Sequence, residues 1–213
     1  MPGLTISSQY GAGGNVIAPR VAEALGFRLL DRTIDGKVAE ELQVSLEEAE
    51  KGERKQSFAD RFFAALAPLA DTVTGDPEIL ASARSGATEE FRVEASKLME
   101  GALADGAVIL GRGGAAALHG THPEVLRVRL YGDPELRVIA AVKYYDADEA
   151  TARERQHRTD EARAKYVQHL YGRDINDSNL YHLELNTPLF ELDQCVDVIV
   201  GAYRAFAAAS AAA

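Results

Sequence analysis

The chain has 213 residues, 46% hydrophobic and 26% charged, a composition that suits one folded α/β domain with a real core and room for a helical insertion. Its net charge of −10 excludes a general nucleic-acid binder and a protein held on anionic lipid. Cys195 is the single cysteine, which excludes an intrachain disulfide and a cysteine-based zinc site and fits a reducing, cytoplasmic setting. Residues 1–20 lack the basic start and apolar block of a secretory leader, and no run is long enough for a membrane span.

In chain order, "LTIS" (Leu4–Ser7) predicts a buried first strand. A glycine cluster follows, and then "NVIAPRVAEALG", whose Val16, Ile17, Val21 and Leu25 have helical spacing with a stop at Gly26. "FRLLD" reads as a short second strand ending at Asp31. From Thr33 to about Gly106 the pattern is helical, broken by a long loop in "DTVTGDPEILASARSGA". "AVILG" and "VLRVRLYG" read as strands, the second leading into a helix with Asp133 as N-cap and Pro134 in its first turn. A long charged helix covers about Asp148 to Leu170, "YHLELNT" supplies a last strand, and the alanine-rich end is helical. No repeat or linker divides the chain. The expectation is therefore one α/β domain over 1–213, with a helical insertion at about 33–106 and a helical lid at about 148–175.

Strands alternating with helices imply a parallel sheet with both faces covered, and ligands in such sheets sit beyond the carboxyl ends of the strands. The glycine cluster, Asp31 and Gly111–Arg112 each follow directly on a strand, so all three should converge there.

"SSQYGAGGN" joins a strand to a helix N-terminus, where free amides and the helix dipole favour an anion. Gly11, Ala12, Gly13, Gly14 and Asn15 form the candidate phosphate-binding turn. Against G-x-x-x-x-G-K-[ST], Ser8 replaces the first glycine, Gly14 stands in the lysine's place, and no Ser or Thr follows to hold magnesium. On spacing alone, a phosphate loop and a plain structural turn stand level.

"TISSQYGAGGNVIAPRVAEALGFRLLDR", "VILGRG" and "DEARAKYVQHLYGRDINDSNLYHLELNT" resemble the cytidylate kinase-like family, relatives of the P-loop nucleoside monophosphate kinases. The resemblance implies a three-layer P-loop NTPase-like fold with a mostly parallel five-stranded sheet and a helical lid. It implies ATP with Mg2+ held by phosphates and water, no metal site made by the protein, and nucleoside mono- and triphosphates as partners. The family also lacks the loop lysine, but its pattern carries arginines at the positions of Ser8 and Asn15.

"ATARERQHRTDEARAKY" sets Arg153, Arg155, Arg158 and Arg163 on one helix with Asp160. Arginine forks suit the spread charge of a transferring phosphoryl group. By resemblance Arg155 and Arg158 are the catalytic lid cations, and Asp160 with Arg163 is the acceptor contact. The alternative is a solvated helix laced with pairs such as Glu154–Arg158.

Arg112 matches the arginine of the family's G-R-D, with Gly113 in the aspartate's place; its alternative is a tight turn. Asp31–Arg32 matches the family's D-R near the acceptor, or Asp31 is a helix N-cap. The five histidines show no metal-ligand spacing, and His119 and His122 are expected in a solvent loop. The resulting expectation is ATP-dependent phosphoryl transfer to a nucleoside monophosphate, CMP or dCMP by resemblance. Its rivals are a nucleotide-binding protein without catalysis and a kinase of a non-nucleotide metabolite.

Overall fold

Five short runs of apolar and β-branched residues pair into one sheet. The structure, a computed structural model, describes residues 3–31, 92–93, 95–145 and 148–211. The strands are β1 (Gly3–Ser8), β2 (Arg28–Leu30), β3 (Ala107–Leu110), β4 (Leu126–Tyr131) and β5 (Leu183–Asn186). All pairings are parallel, in the order β2-β3-β1-β4-β5. β1 and β3 are buried along their whole length, as strands covered by helices on both faces are, whereas β4 alternates apolar residues with arginines. β5 is shorter than "YHLELNT" suggested: residues 187–189 form a 3₁₀ turn, and Pro188 has no N–H to extend the ladder.

The helices are α1 (Gly14–Leu25), α2 (Gly114–Ala117), α3 (Pro134–Tyr145), α4 (Glu149–Tyr171) and α5 (Leu192–Ala211), with a further helical stretch at 95–104. Gly26 ends α1 in the left-handed conformation with its N–H on Ala22 and Glu23 carbonyls, a glycine stop of the expected kind. The Asp133 carboxylate accepts from the Glu135 and Leu136 amides at the start of α3. Asp148 does the same for Thr151 at the start of α4.

α1 and α5 cover one face of the sheet. Ile17 and Val21 of α1, with Cys195 and Ile199 of α5, close on Leu4, Ile6, Val108, Leu110, Val128 and Leu130. The opposite face carries α2, and Gly114 there packs on Thr5 of β1. Alternation along β4 puts Leu126, Val128 and Leu130 into the apolar core and Arg127 and Arg129 on the other side.

The chain divides into two compact units, 1–31 with 96–213 and the intervening 32–95. Every element labelled above belongs to the first. The second overlaps the stretch 33–106 expected as a helical insertion, and residues 32–91 lie outside the described residues. Among the described residues no helix is long and apolar enough to cross a membrane.

The histidine expectation is corrected. His119 is half-buried, and the His122 side chain is 15% exposed, lying 3.2 Å from Glu124 and 3.6 Å from Glu100. The segment is a loop as expected, with Gly120, Thr121 and Pro123 exposed, but its two imidazoles are turned partly inward.

Candidate functional site

β1 lies between β3 and β4, where the chain connections diverge, and its carboxyl end opens into the glycine turn. The flanking strands fix that exit, since the Gly111 amide bonds the Ile6 carbonyl at 2.9 Å and the Gln9 amide bonds the Leu130 carbonyl at 3.0 Å. Gly11 and Gly13 adopt φ of 77° and 78°, which a side chain would strain. A Cβ on Gly11 would fall 2.2 Å from the Arg137 carbonyl oxygen. The turn then enters α1 at Gly14, with no side-chain cap on the helix start. Among the described residues, the amides of Gly11, Gly13, Gly14 and Asn15 have no hydrogen-bond acceptor.

Two segments hold the turn. Thr187, buried, donates its hydroxyl to the Ala12 carbonyl at 2.9 Å. From α3, Arg137 donates through Nη1 to the Tyr10 carbonyl at 2.8 Å and through Nε to the Gly132 carbonyl at 2.9 Å. Gly11, Ala12, Gly13 and Gly14 are buried, while Asn15 is exposed.

α4 runs over the same end of the sheet. The stripe of α4 that meets α3 and the glycine turn is Arg153, Gln156, Asp160 and Arg163, spaced three or four residues apart. Arg153 pairs with Glu135 at 2.6 Å, and Gln156 donates to the Pro134 carbonyl at 2.9 Å. Asp160 accepts from the Tyr10 amide at 2.8 Å and pairs with Arg137 at 2.7 Å. Arg163 donates to the Ser8 carbonyl.

Arg155 and Arg158 stand about 120° and 180° round the helix from the centre of this stripe, and both are exposed. Arg158 lies 3.5 Å from Glu154, the helical pair that had been the bland alternative. The structure therefore brings Asp160 and Arg163 to the glycine turn and does not bring Arg155 or Arg158 there.

Arg112 and Asp31 come together beyond β3 and β2, with Arg112 Nε 2.8 Å from the Asp31 carbonyl oxygen. Arg112 has φ of 56°, the left-handed region that costs a non-glycine residue about 1 kcal/mol or more. Its carbonyl accepts from the Tyr171 hydroxyl at 3.4 Å, and Tyr171 packs edge-on against Tyr166. Burial pushes the Tyr166 phenol well above its ordinary range, so it stays protonated. Arg32 lies outside the described residues.

A cavity of about 240 Å³ opens beside the turn, lined among others by Ser7, Ser8, Arg129, Asp160, Arg163 and Tyr181. Arg129 crosses it from β4, pairing with Glu184 at 3.1 Å and donating to Asn176 at 2.6 Å. Sequence reading missed Arg129, Arg137 and Thr187. The strict alternation of "LRVRLY" was the available signal for Arg129, since a strand with one apolar face was presenting arginines on the other. Nothing local marked Arg137 or Thr187, whose partners are remote in sequence.

Known proteins agree with this geometry at the level of fold. An uncharacterized protein from Eubacterium ventriosum ATCC 27560 superposes with a TM-score of 0.58 at 19% identity, covering 96% of this chain and 99% of its own. A gluconokinase from Sinorhizobium meliloti 1021 gives 0.50 at 11% identity, covering 97% and 94%. A shikimate kinase from Acinetobacter baumannii gives 0.44 at 14% identity, covering 94% and 91%. No curated protein matches the sequence. The first two of these structures share the α/β fold of this chain. The sequence pattern of one kinase-like family matches residues 4–188, the stretch that runs from β1 through the glycine turn and α4 to the Thr187 latch, and the chain belongs to that cytidylate kinase-like family.

Proposed function

We propose that the protein is a kinase that transfers the γ-phosphoryl group of MgATP to a small acceptor, a nucleoside monophosphate of the CMP or dCMP type. The observation that carries this reading is the glycine turn. It presents a set of acceptor-free backbone amides at the carboxyl end of the central strand, with Arg163 reaching the same strand end from α4. Family membership supports phosphoryl transfer as the class of reaction.

In this reading the triphosphate lies on Gly11–Asn15, where amide dipoles supply the charge stabilisation that a lysine supplies in other loops. Mg2+ arrives with the nucleotide, held by its phosphates and by water. The base has an apolar shelf on the segments flanking the turn, where Leu136, Leu189 and Phe190 are exposed. The acceptor lies near Asp31, Arg112 and Arg163, and its phosphate oxygen attacks the γ-phosphorus directly, with no covalent enzyme intermediate. Arg155 and Arg158 serve the transferring group only if α4 turns or unwinds over bound nucleotide. Their double alanine variant is expected to lose about a hundredfold or more in rate while MgATP affinity holds.

The exposed setting of those two arginines favours a second reading, a nucleotide-binding protein that does not transfer phosphate. One experiment separates the two: MgATP titration combined with a coupled ADP-release assay over the four nucleoside monophosphates, with sugars and small alcohols added to the panel. Binding with monophosphate-dependent ADP release supports the kinase. Binding without release over any acceptor supports the second reading, and absence of binding removes both.

A further inference from the structure

The main chain of Tyr10 is held at both its N–H and its carbonyl by one ion pair. Its N–H donates to Asp160 Oδ1 at 2.8 Å, and its carbonyl accepts from Arg137 Nη1 at 2.8 Å. The same Nη1 lies 2.7 Å from Asp160 Oδ2, so the carboxylate, the guanidinium and the Tyr10 main chain close a ring of three hydrogen bonds. Arg137 is 4% exposed and spends its Nε on the Gly132 carbonyl. The Tyr10 ring enters the seam between α3 and α4, against Val138, Ala141 and Ala152. The following residue, Gly11, touches the Arg137 main chain so closely that no Cβ fits there.

We infer that Asp160 and Arg137 are positioning residues of the phosphate loop, and that Asp160 serves the donor side of the site instead of the acceptor. The inference rests on the kinase reading for its functional consequence, but the clamp can be measured without it. Arg137 is buried and Asp160 half-buried, a costly placement for charge, and their hydrogen bonds are directed onto the main chain of one residue. That arrangement turns the Tyr10 N–H toward α4 and leaves the next amides of the turn facing the phosphate position. The shape of the loop and the seating of α4 then become one variable, and a phosphate that organises the loop is felt in the helix carrying Arg163.

The test uses the full chain as wild type, Asp160→Asn, Arg137→Met and Arg137→Lys. Hydrogen exchange is read on the peptide covering 8–15, MgATP affinity by titration, and KM for each substrate in the coupled assay. The expected result is loop exchange at least tenfold faster in Asp160→Asn and Arg137→Met, with β3 and α5 peptides unchanged. MgATP binding weakens at least tenfold in both, the acceptor KM stays in place, and Arg137→Lys recovers part of each loss. Unchanged loop exchange with a rise in acceptor KM alone overturns the inference and returns Asp160 to the acceptor. Tighter MgATP binding in Asp160→Asn with unchanged exchange also overturns it, because the carboxylate would then be competing with phosphate. A wild-type chain that binds no MgATP removes the kinase reading, and the exchange comparison still decides the clamp. Should Arg137→Met not fold, Asp160→Asn and Arg137→Lys carry the test.

Discussion

The two faces of the sheet are built on different physics. Under α1 and α5 the contacts are apolar, and the fully buried Leu4, Ile6, Ile17, Val21, Val128 and Ile199 hold one another through shape and exclusion of water. The face that bears Thr5, Arg127 and Arg129, together with the α3–α4 seam at the glycine turn, is held by directed polar contacts. There Arg127, Arg129, Arg137, Asp160 and Arg163 fix backbone carbonyls and carboxylates at set distances. Dispersion tolerates small shifts, whereas a charge-assisted hydrogen bond specifies where a peptide points. The side that must aim amides at an anion is the side built from arginine.

The largest effect should come from the apolar face. Ile199→Ala removes a fully buried side chain facing α1 and the sheet, and a loss of about 3 kcal/mol is expected. Urea unfolding reads that loss, while MgATP affinity of the folded variant should stay within twofold. A strong affinity change would mean the two faces are not independent. On the turn, Gly11→Ala should do the reverse. Its Cβ collides with the Arg137 carbonyl at a φ of 77°, for a strain of about 2 kcal/mol that the loop relieves by moving. MgATP binding should fall at least tenfold, with a smaller loss of unfolding free energy than Ile199→Ala.

Much of this division was legible in the sequence, for reasons that differ by residue. The apolar strands, the Gly26 stop and the Asp133 and Asp148 caps are local signals, complete within a few residues. The convergence of the glycine turn, Asp31 and Arg112 followed from strand ends alone, and Arg112 does meet Asp31. The Asp160–Arg137 pair was not legible. Within α4 the neighbour that stood out beside Asp160 was Arg163, three residues on, and only the packing of α3 against α4 brings Arg137 to 2.7 Å from it. Likewise no pattern of period 2 or 3.6 distinguishes Arg155 and Arg158 from Arg153 and Arg163, which meet α3 and the end of β1, in a helix so evenly charged. The four-residue α2 is too short to show a period at all.

A pH dependence should sharpen the comparison, because among the described residues the apolar cluster under α1 and α5 holds no histidine of its own. His182 Nδ1 faces the Arg127 amide at 3.2 Å, and its Nε2 faces the Arg127 guanidinium at 2.8 Å. A neutral ring can accept at one of these nitrogens, and a protonated ring at neither. Burial, then the Arg127 charge, then His119 all hold His182 below the ordinary imidazole value of 6.5. Burial and Arg127 do the same to His119, with Arg173 adding to them and Asp177 opposing. Below about pH 6.5 the unfolded chain therefore binds protons that the folded one refuses, and stability falls as pH falls. The urea midpoint should drop between pH 7.5 and 5.5, and His182→Gln should flatten part of that slope. An equal slope in the variant would place the titration elsewhere.

The smallest effect belongs to a charge pair on the apolar side. Arg20 of α1 meets Asp193 of α5 in a close ion pair, but the two side chains are 48% and 85% exposed. Water and salt screen such a pair, and holding two long side chains in one geometry offsets most of its Coulomb gain. Arg20→Ala should change the unfolding free energy by less than about 0.5 kcal/mol and leave MgATP affinity untouched. The contrast with Arg137 is then one of burial and direction, since an arginine matters here when it is dry and bonded to a particular peptide. If Arg20→Ala instead costs as much as Ile199→Ala, the α1–α5 seam is held by charge after all, and the division between the two faces fails.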